Sequence, residues 1–258
     1  TKSRLNLVGE SYPNTEAKHG TFMYTNVGYN IMSVWLDQRM ASSWQDQLHI
    51  SIFKPLGMKH TTGYVSKAIR KKWLMAKPYS FIDISPNTPL YLEKSDSTMH
   101  AAGGLVSTGP DLAKFLIAEL NDGKYQFKQI FPRSVIAQSQ VQQIKTDGSY
   151  LDFKRSGYAW GWYTGEYKGK EMLHHFGGFA GFHSHMSFMP KEKIGLVVLN
   201  NEDTFGSRLT NLIADYTYGL LLEESGISSR MTKRLDGLLT QAKESQQAAS
   251  KQRKVIES

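Results

Sequence analysis

Two stretches of this chain hold side chains suited to proton transfer and hydrogen bonding. Tyr24-Thr25-Asn26 sits just ahead of an amphipathic segment, and His175-Phe176-Gly177-Gly178 lies in the last third. Each residue also has a plainer reading. Tyr24 suits a core or cross-strand tyrosine, and Asn26 suits a helix N-cap. His175 suits a satisfied strand histidine, and Gly177 and Gly178 suit a turn. Ser51-Ile52-Phe53-Lys54 places a hydroxyl and an amine three positions apart, near one face if helical. Thr1 could act as an N-terminal nucleophile only if processing exposed its amine, and Lys2-Ser3-Arg4 gives that no support. His174, His175, His183 and His185 invite a metal reading. No carboxylate accompanies them at ligand spacing, and strand alternation sends 174 and 175 to opposite faces. No metal or organic cofactor is expected.

Composition narrows the setting. The 258 residues are 40% hydrophobic and 12% aromatic, enough for a packed core. The absence of cysteine excludes disulfides, Cys-ligated zinc and thiol catalysis in this chain. The net charge of +8 permits anionic partners, but only Arg70-Lys71-Lys72 is tightly clustered and no nucleic-acid recognition motif accompanies it. Nucleic acid is therefore not an expected partner, and no apolar run is long enough for a transmembrane segment. The chain opens on Thr1 without a signal-peptide pattern or an initiator Met, so it is expected to be internal to a longer product.

The elements that must position these residues follow from periodicity. Residues 1–20 read as a polar loop. Tyr29 to Met40 reads as a helix with Ile31, Met32, Trp35, Leu36 and Met40 inward and Asp37, Gln38 and Arg39 outward. Ser43 caps a second helix through Phe53, which Pro55-Leu56-Gly57-Met58 ends. Residues 59–98 read as a long decorated loop. Thr108, Pro110 and Asp111 open a helix through Leu120, and Ser134 to Gln143 reads as another. The period then shortens. Tyr158 to Tyr163 reads as an aromatic strand with Trp160 and Trp162 pointing the same way into the core. Glu171–His174, Ser184–Met189 and Ile194–Leu199 follow at hairpin spacing. The nearly all-apolar last run suits a central strand covered on both faces. Leu209 to Leu222 is a helix with Leu209, Leu212, Ile213, Tyr216 and Leu220 buried. Residues 1–225 form one unit, and 226–258 a polar helical extension or linker.

Taken together, the segments resemble a known family. Phe22-Met23-Tyr24-Thr25-Asn26, a helix pair ending in Pro55-Leu56-Gly57-Met58, Ala102-Gly103-Gly104-Leu105-Val106-Ser107-Thr108, and His175-Phe176-Gly177-Gly178 followed by Val197-Val198-Leu199-Asn200-Asn201 are similar to class C β-lactamase-like and penicillin-binding-protein-like serine hydrolases. The likeness spans roughly residues 20–222. It implies an α+β fold of the β-lactamase/transpeptidase type, a mostly antiparallel sheet flanked by helices, present here as a partial domain. It implies that Tyr24 shares proton transfer with a lysine, that Asn26 orients the substrate amide, and that His175 stands where true β-lactamases have lysine. It also implies that Gly178, on an inner edge strand, offers an oxyanion N–H, with Gly177 beside it. A phenol is a poor base at its ordinary pKa of about 10, so a nearby cation is expected to favour its anion.

The family's nucleophile motif, Ser-x-x-Lys, belongs before Tyr24, and residues 1–23 contain none. Ser51-x-x-Lys54 comes after Tyr24 and is read as a chance match. The serine is therefore expected outside this chain, which alone is expected to be inactive. The resemblance implies an ester, peptide or β-lactam substrate, with the His-x-Gly form favouring an esterase or D-amino-acid peptidase. It also implies an exported protein. The partial sheet implies exposed apolar surface and association with a complementary N-terminal segment or with itself. The alternative is a non-catalytic peptide-binding or scaffold protein on the same fold.

Overall fold

A computed structural model describes every residue except Thr1, Pro13, Ala17, Ile84, Pro86, Leu92, Glu93, Glu257 and Ser258. The Thr1 reading therefore lies outside the described residues. The helices are α1 (Lys2–Gly9), α2 (Val27–Arg39), α3 (Trp44–Leu48, continued by a π-helical turn, His49–Phe53), α4 (Val65–Arg70), α5 (Gly109–Leu120), α6 (Arg133–Ser139), α7 (Gly206–Leu221) and α8 (Ile227–Ile256). A small hairpin pairs β1 (Lys124–Tyr125) with β2 (Lys128–Gln129). An antiparallel meander follows in chain order: β3 (Ile144–Tyr150), β4 (Phe153–Tyr158), β5 (Tyr163–Tyr167), β6 (Lys170–Phe179), β7 (Phe182–Met189) and β8 (Ile194–Asn200).

The core explains the apolar runs. Adjacent residues on one strand go to opposite faces. Leu173, Phe188 and Val197 pack on Leu116 and Leu120 of α5, while Met172, Met189 and Leu196 pack on Ala214 and Tyr218 of α7. Both faces of β6–β8 are thus covered, as the continuous apolar segments require. The expected central position of Ile194–Leu199 is corrected, since β8 ends the order of described strands.

Three local expectations change for physical reasons. The first residues form α1 rather than a loop, because Arg4 reaches Ser33 and Asp37 of α2 and ties the two helices together. Asp37 consequently faces inward and also accepts from the Trp44 N–H at 2.7 Å, whereas Ile31, Met32, Trp35 and Met40 are exposed. The aromatic Tyr158–Tyr163 segment is a hairpin tip, not a strand. Gly161 adopts φ +81°, the chain reverses, and Tyr158 pairs with Tyr163. Trp162 enters the core at 7% exposure while Trp160 stays 51% exposed, so the two do not share a face. In α7 the buried face carries Thr210, Asn211, Leu212, Asp215 and Tyr218, and Ile213, Tyr216 and Leu220 are exposed. The polar face is turned inward by its partners. Arg230 of α8 forms a bidentate pair with Asp215 at 2.6 and 3.1 Å, Arg234 and the Tyr167 hydroxyl also reach it, and Ile227 and Met231 pack on Leu212.

The helix starts match the sequence. Ser43 accepts from the Asp46 N–H, and Thr108 from the Asp111 N–H. Asp111 does more than favour the helix end. It is buried and accepts from the His60 N–H (2.7 Å), the Thr61 hydroxyl (3.0 Å) and the Lys114 ammonium (2.8 Å), fastening α5 to the segment after Gly57. Burial opposes its ionisation, but these donors hold its carboxyl below the usual range. Replacing Asp111 by Ala strands the three donors and should destabilise the fold by about 3 kcal/mol in urea unfolding.

His174 and His185 are fully buried, and burial lowers both imidazoles to about 3. Between that value and the unfolded histidine pKa of about 6.5, the unfolded chain binds more protons. Stability should therefore fall as pH drops from about 6.5 toward 3. His185→Gln should flatten that slope when unfolding midpoints are compared across the pH series.

Candidate active site

Tyr24 lies in the segment that leads into α2, and His175 lies on β6. The fold brings them together, with ring centroids 5.9 Å apart. The hairpin tip supplies the packing that does this. Tyr163 stacks on Tyr24 at 6.2 Å and lies tilted against His175 at 5.5 Å, and Tyr158 contacts both rings edge-on at 6.3 and 6.2 Å. Phe22 closes the cluster against Tyr158 and Tyr163, and Arg155 lies 3.5 Å from the Tyr163 ring centroid.

Hydrogen bonds fix the histidine. The His175 Nδ1–H donates to the Phe176 carbonyl at 2.9 Å, so Nε2 carries the lone pair and faces the Tyr158 hydroxyl at 3.3 Å. The Tyr158 and Tyr29 hydroxyls are 3.3 Å apart, extending the chain of polar groups to α2. Burial first, with a smaller opposing effect of the Phe176 carbonyl and a lowering effect of Arg155, keeps the His175 imidazole below its ordinary value. Burial, then the Tyr29 hydroxyl, pushes the Tyr158 phenol well above the phenol range. The Tyr24 phenol is raised as well, by burial and by Tyr163 and Tyr29, with Arg155 acting in the opposite direction. The cation expected to favour the Tyr24 anion is thus represented among these residues by Arg155 alone, and it does not outweigh burial.

Asn26 occupies the N-cap position of α2, yet its side chain does not cap the helix. The Thr25 hydroxyl accepts from the Val27 N–H, and the Asn26 carbonyl accepts from Asn30. Asn26 itself is exposed. Gly177 and Gly178 pair with Ser184 and His183 of β7. The order of strands puts β6 inside the sheet rather than at its edge. Its pairing with β5 nevertheless stops at His174, so His175 to Phe179 run beyond β5 with no strand on that side among the described residues. A Cβ on Gly177 would sit 2.4 Å from the Ser184 hydroxyl, which would have to rotate away to admit a side chain. Ser51 and Lys54 are exposed on and just after the π-helical turn, whose Phe53 packs against α5, and take no part in the cluster.

The loop expected over 59–98 forms α4 and then walls the far end of β6. Gly181, at φ +81°, lets Pro78 approach to where a Cβ would be 2.0 Å away, and Lys94 sits 4.3 Å over the Phe179 ring. Of the four histidines weighed as ligands, His174 and His185 are buried in the core, and His183 donates to the Asp203 carbonyl at 2.9 Å. Among the described residues no three His, Cys, Asp or Glu side chains are grouped to hold a metal ion, and no helix is long and apolar enough to cross a membrane. Tyr158, Tyr163 and Arg155 escaped the sequence reading. The two tyrosines flanking Gly161 were the available signal, because a hairpin places them side by side. Arg155 is indistinguishable by type from the rest of the 31 lysines and arginines.

An antiparallel sheet covered by helices, with Tyr-x-Asn before a helix and His-x-Gly-Gly on an inner strand, is the arrangement of a β-lactamase-like hydrolase. The Beta-lactamase family model matches residues 9–216, and the chain belongs to that family. It is 26% identical over 194 residues to an unguisins hydrolase of Aspergillus violaceofuscus, covering 70% of this chain and 34% of that protein. It resembles the octameric penicillin-binding protein homologue from Pyrococcus abyssi with a TM-score of 0.64 and 25% identity, over 80% of this chain and 44% of the other. The D-amino acid amidase of Ochrobactrum anthropi SV3 shares the fold, with a TM-score of 0.55 and 22% identity over 85% of this chain and 58% of that one. The chain spans about a third to a half of the length of the curated relatives it matches.

The hydrogen bonds assign the Nδ1–H tautomer to His175. Long-range proton–nitrogen NMR at neutral pH should show Nδ1 protonated, and Tyr158→Phe should leave that tautomer in place because the Phe176 carbonyl holds it.

Proposed function

We propose that this chain is the part of a serine hydrolase that supplies the proton-transfer and oxyanion groups, with the serine lying outside these 258 residues. The observation that supports this most is the meeting of Tyr24 and His175, from distant parts of the chain, beside the stretch of β6 beyond β5 that carries Gly178. In this reading the serine Oγ attacks a substrate carbonyl carbon as its proton passes toward the Tyr24 oxygen. The carbonyl oxygen becomes an oxyanion and takes a hydrogen bond from the Gly178 N–H. The carbon–heteroatom bond then breaks, the leaving group takes the proton, and water releases the acyl group from the serine. Asn26 orients the substrate amide, and neutral His175 serves as a hydrogen-bonding partner rather than a second cation. An ester, amide or β-lactam substrate fits this chemistry. An amide is also the substrate class named for the D-amino acid amidase that shares the fold. The exposed Ile31, Met32, Trp35 and Met40 of α2 support pairing with a complementary segment or another copy of the chain.

The test is labelling with a fluorescent fluorophosphonate, comparing this chain with the protein extended upstream. Labelling of the extended form alone is expected, and there Tyr24→Phe should lower turnover by about 10²-fold or more. Labelling of the short chain would place the nucleophile within it and overturn the assignment. Two folded proteins that both resist labelling would turn the reading to a non-catalytic peptide-binding protein on this fold.

A further inference from the structure

Arg155 is an unusual residue in this cluster. It is part-buried on β4, lies 3.5 Å from the Tyr163 ring centroid and 5.2 Å from that of Tyr150, and has a buried Nε with no hydrogen-bond partner. Among the described residues it enters no ion pair. A guanidinium does not lose its proton in a protein, so its charge is permanent. Aromatic faces attract such a cation but do not neutralise it. Among the described residues the cluster around Tyr24 and His175 therefore holds one guanidinium, and no carboxylate pairs with it. The aromatic and imidazole groups around it are Tyr24 before α2, Tyr150 on β3, Tyr158 on β4, Tyr163 on β5, and His174 and His175 on β6, while Asp147 on β3, Lys154 on β4 and Glu166 on β5 line the same surface hollow.

We propose that Arg155 is the positioning residue of this site: its unpaired guanidinium, seated on Tyr163, supplies the cationic field at Tyr24 and His175. This rests on reading Tyr24 and His175 as the working pair, and it assigns the field they feel to a residue outside both motifs. Tyr163 is the mechanical link, since its ring touches Arg155, Tyr24 and His175 alike. The same charge acts on both groups in the same direction, because it penalises a proton on either. Burial does not. It raises a phenol and lowers an imidazole. Removing the charge and loosening the packing therefore leave different signatures. Loss of the field moves both titrations to higher pH, whereas loss of burial moves His175 up and Tyr24 down.

The experiment is an NMR titration of the 258-residue chain labelled at tyrosine Cζ and histidine Cε1. Tyr24→Phe and His175→Gln assign the two signals. Tyr24 is read as the phenolate fraction at about pH 11, about one unit above an ordinary phenol. In Arg155→Met the His175 midpoint should rise and the Tyr24 phenolate fraction should fall, while Arg155→Lys should stay near the parent protein. Arg155→Gln, whose flat amide can still lie on Tyr163, gives the same reading should the Met variant not fold. An increase in Tyr24 phenolate, or no change at either group, would overturn the proposal. Neither titration requires turnover, so the outcome is separate from the fluorophosphonate test of the hydrolase reading.

Discussion

Burial of β6, β7 and β8 on both faces is the constraint from which the rest follows. Leu173, Phe188 and Val197 need α5 on one side, and Met172, Met189 and Leu196 need α7 on the other. Once both helices are seated, β6 is held rigidly, and the residues it carries beyond His174 inherit that rigidity without needing contacts of their own from β5. A binding or catalytic strand gains accuracy in this way, because its position is set by a core some distance from the reacting groups.

The polar fastenings serve the same layers. Asp111 joins α5 to the turn after Gly57, and Asp215 joins α7 to Arg230 and Arg234 of α8. Both carboxylates are almost fully buried and both are ionised through partners that offset the cost of burial. Such groups stabilise little beyond what a well-packed apolar residue would, but a missing partner is expensive. They therefore act chiefly to exclude other arrangements of the helices.

Much of the fold was legible in the residues. Ser43 and Thr108 announced their helices, Pro55 and Gly57 ended one, and the apolar run Ile194–Leu199 announced a strand covered on both sides. The errors came where a tertiary partner decides. Arg4 turns an apparently polar leader into α1, and two arginines of α8 draw the polar face of α7 inward. No local pattern encodes either. Of the candidate site, Tyr24, Asn26, His175, Gly177 and Gly178 stood out because their types and order are specific. The residues that pack them did not. Tyr158 and Tyr163 became neighbours only because Gly161 reverses the chain between them, and the same aromatic run read as a strand would have separated them.

The wall formed by the loop before Lys94 is held by main-chain bonds as well as by side chains such as Ser80, Asn201 and Glu202. The Tyr79 N–H donates to the Asn201 carbonyl at 3.0 Å, the Asp203 N–H to the Tyr79 carbonyl at 2.8 Å, and the Leu90 N–H to the Pro78 carbonyl at 2.8 Å, while Gly181 makes room for Pro78. Main-chain contacts of this kind are nearly indifferent to the side chains between them. The main-chain part of that path can persist through drift in its sequence, so the face it presents can change residue by residue without rebuilding the scaffold behind it. A fold with this division tolerates a change of taste far better than a change of architecture.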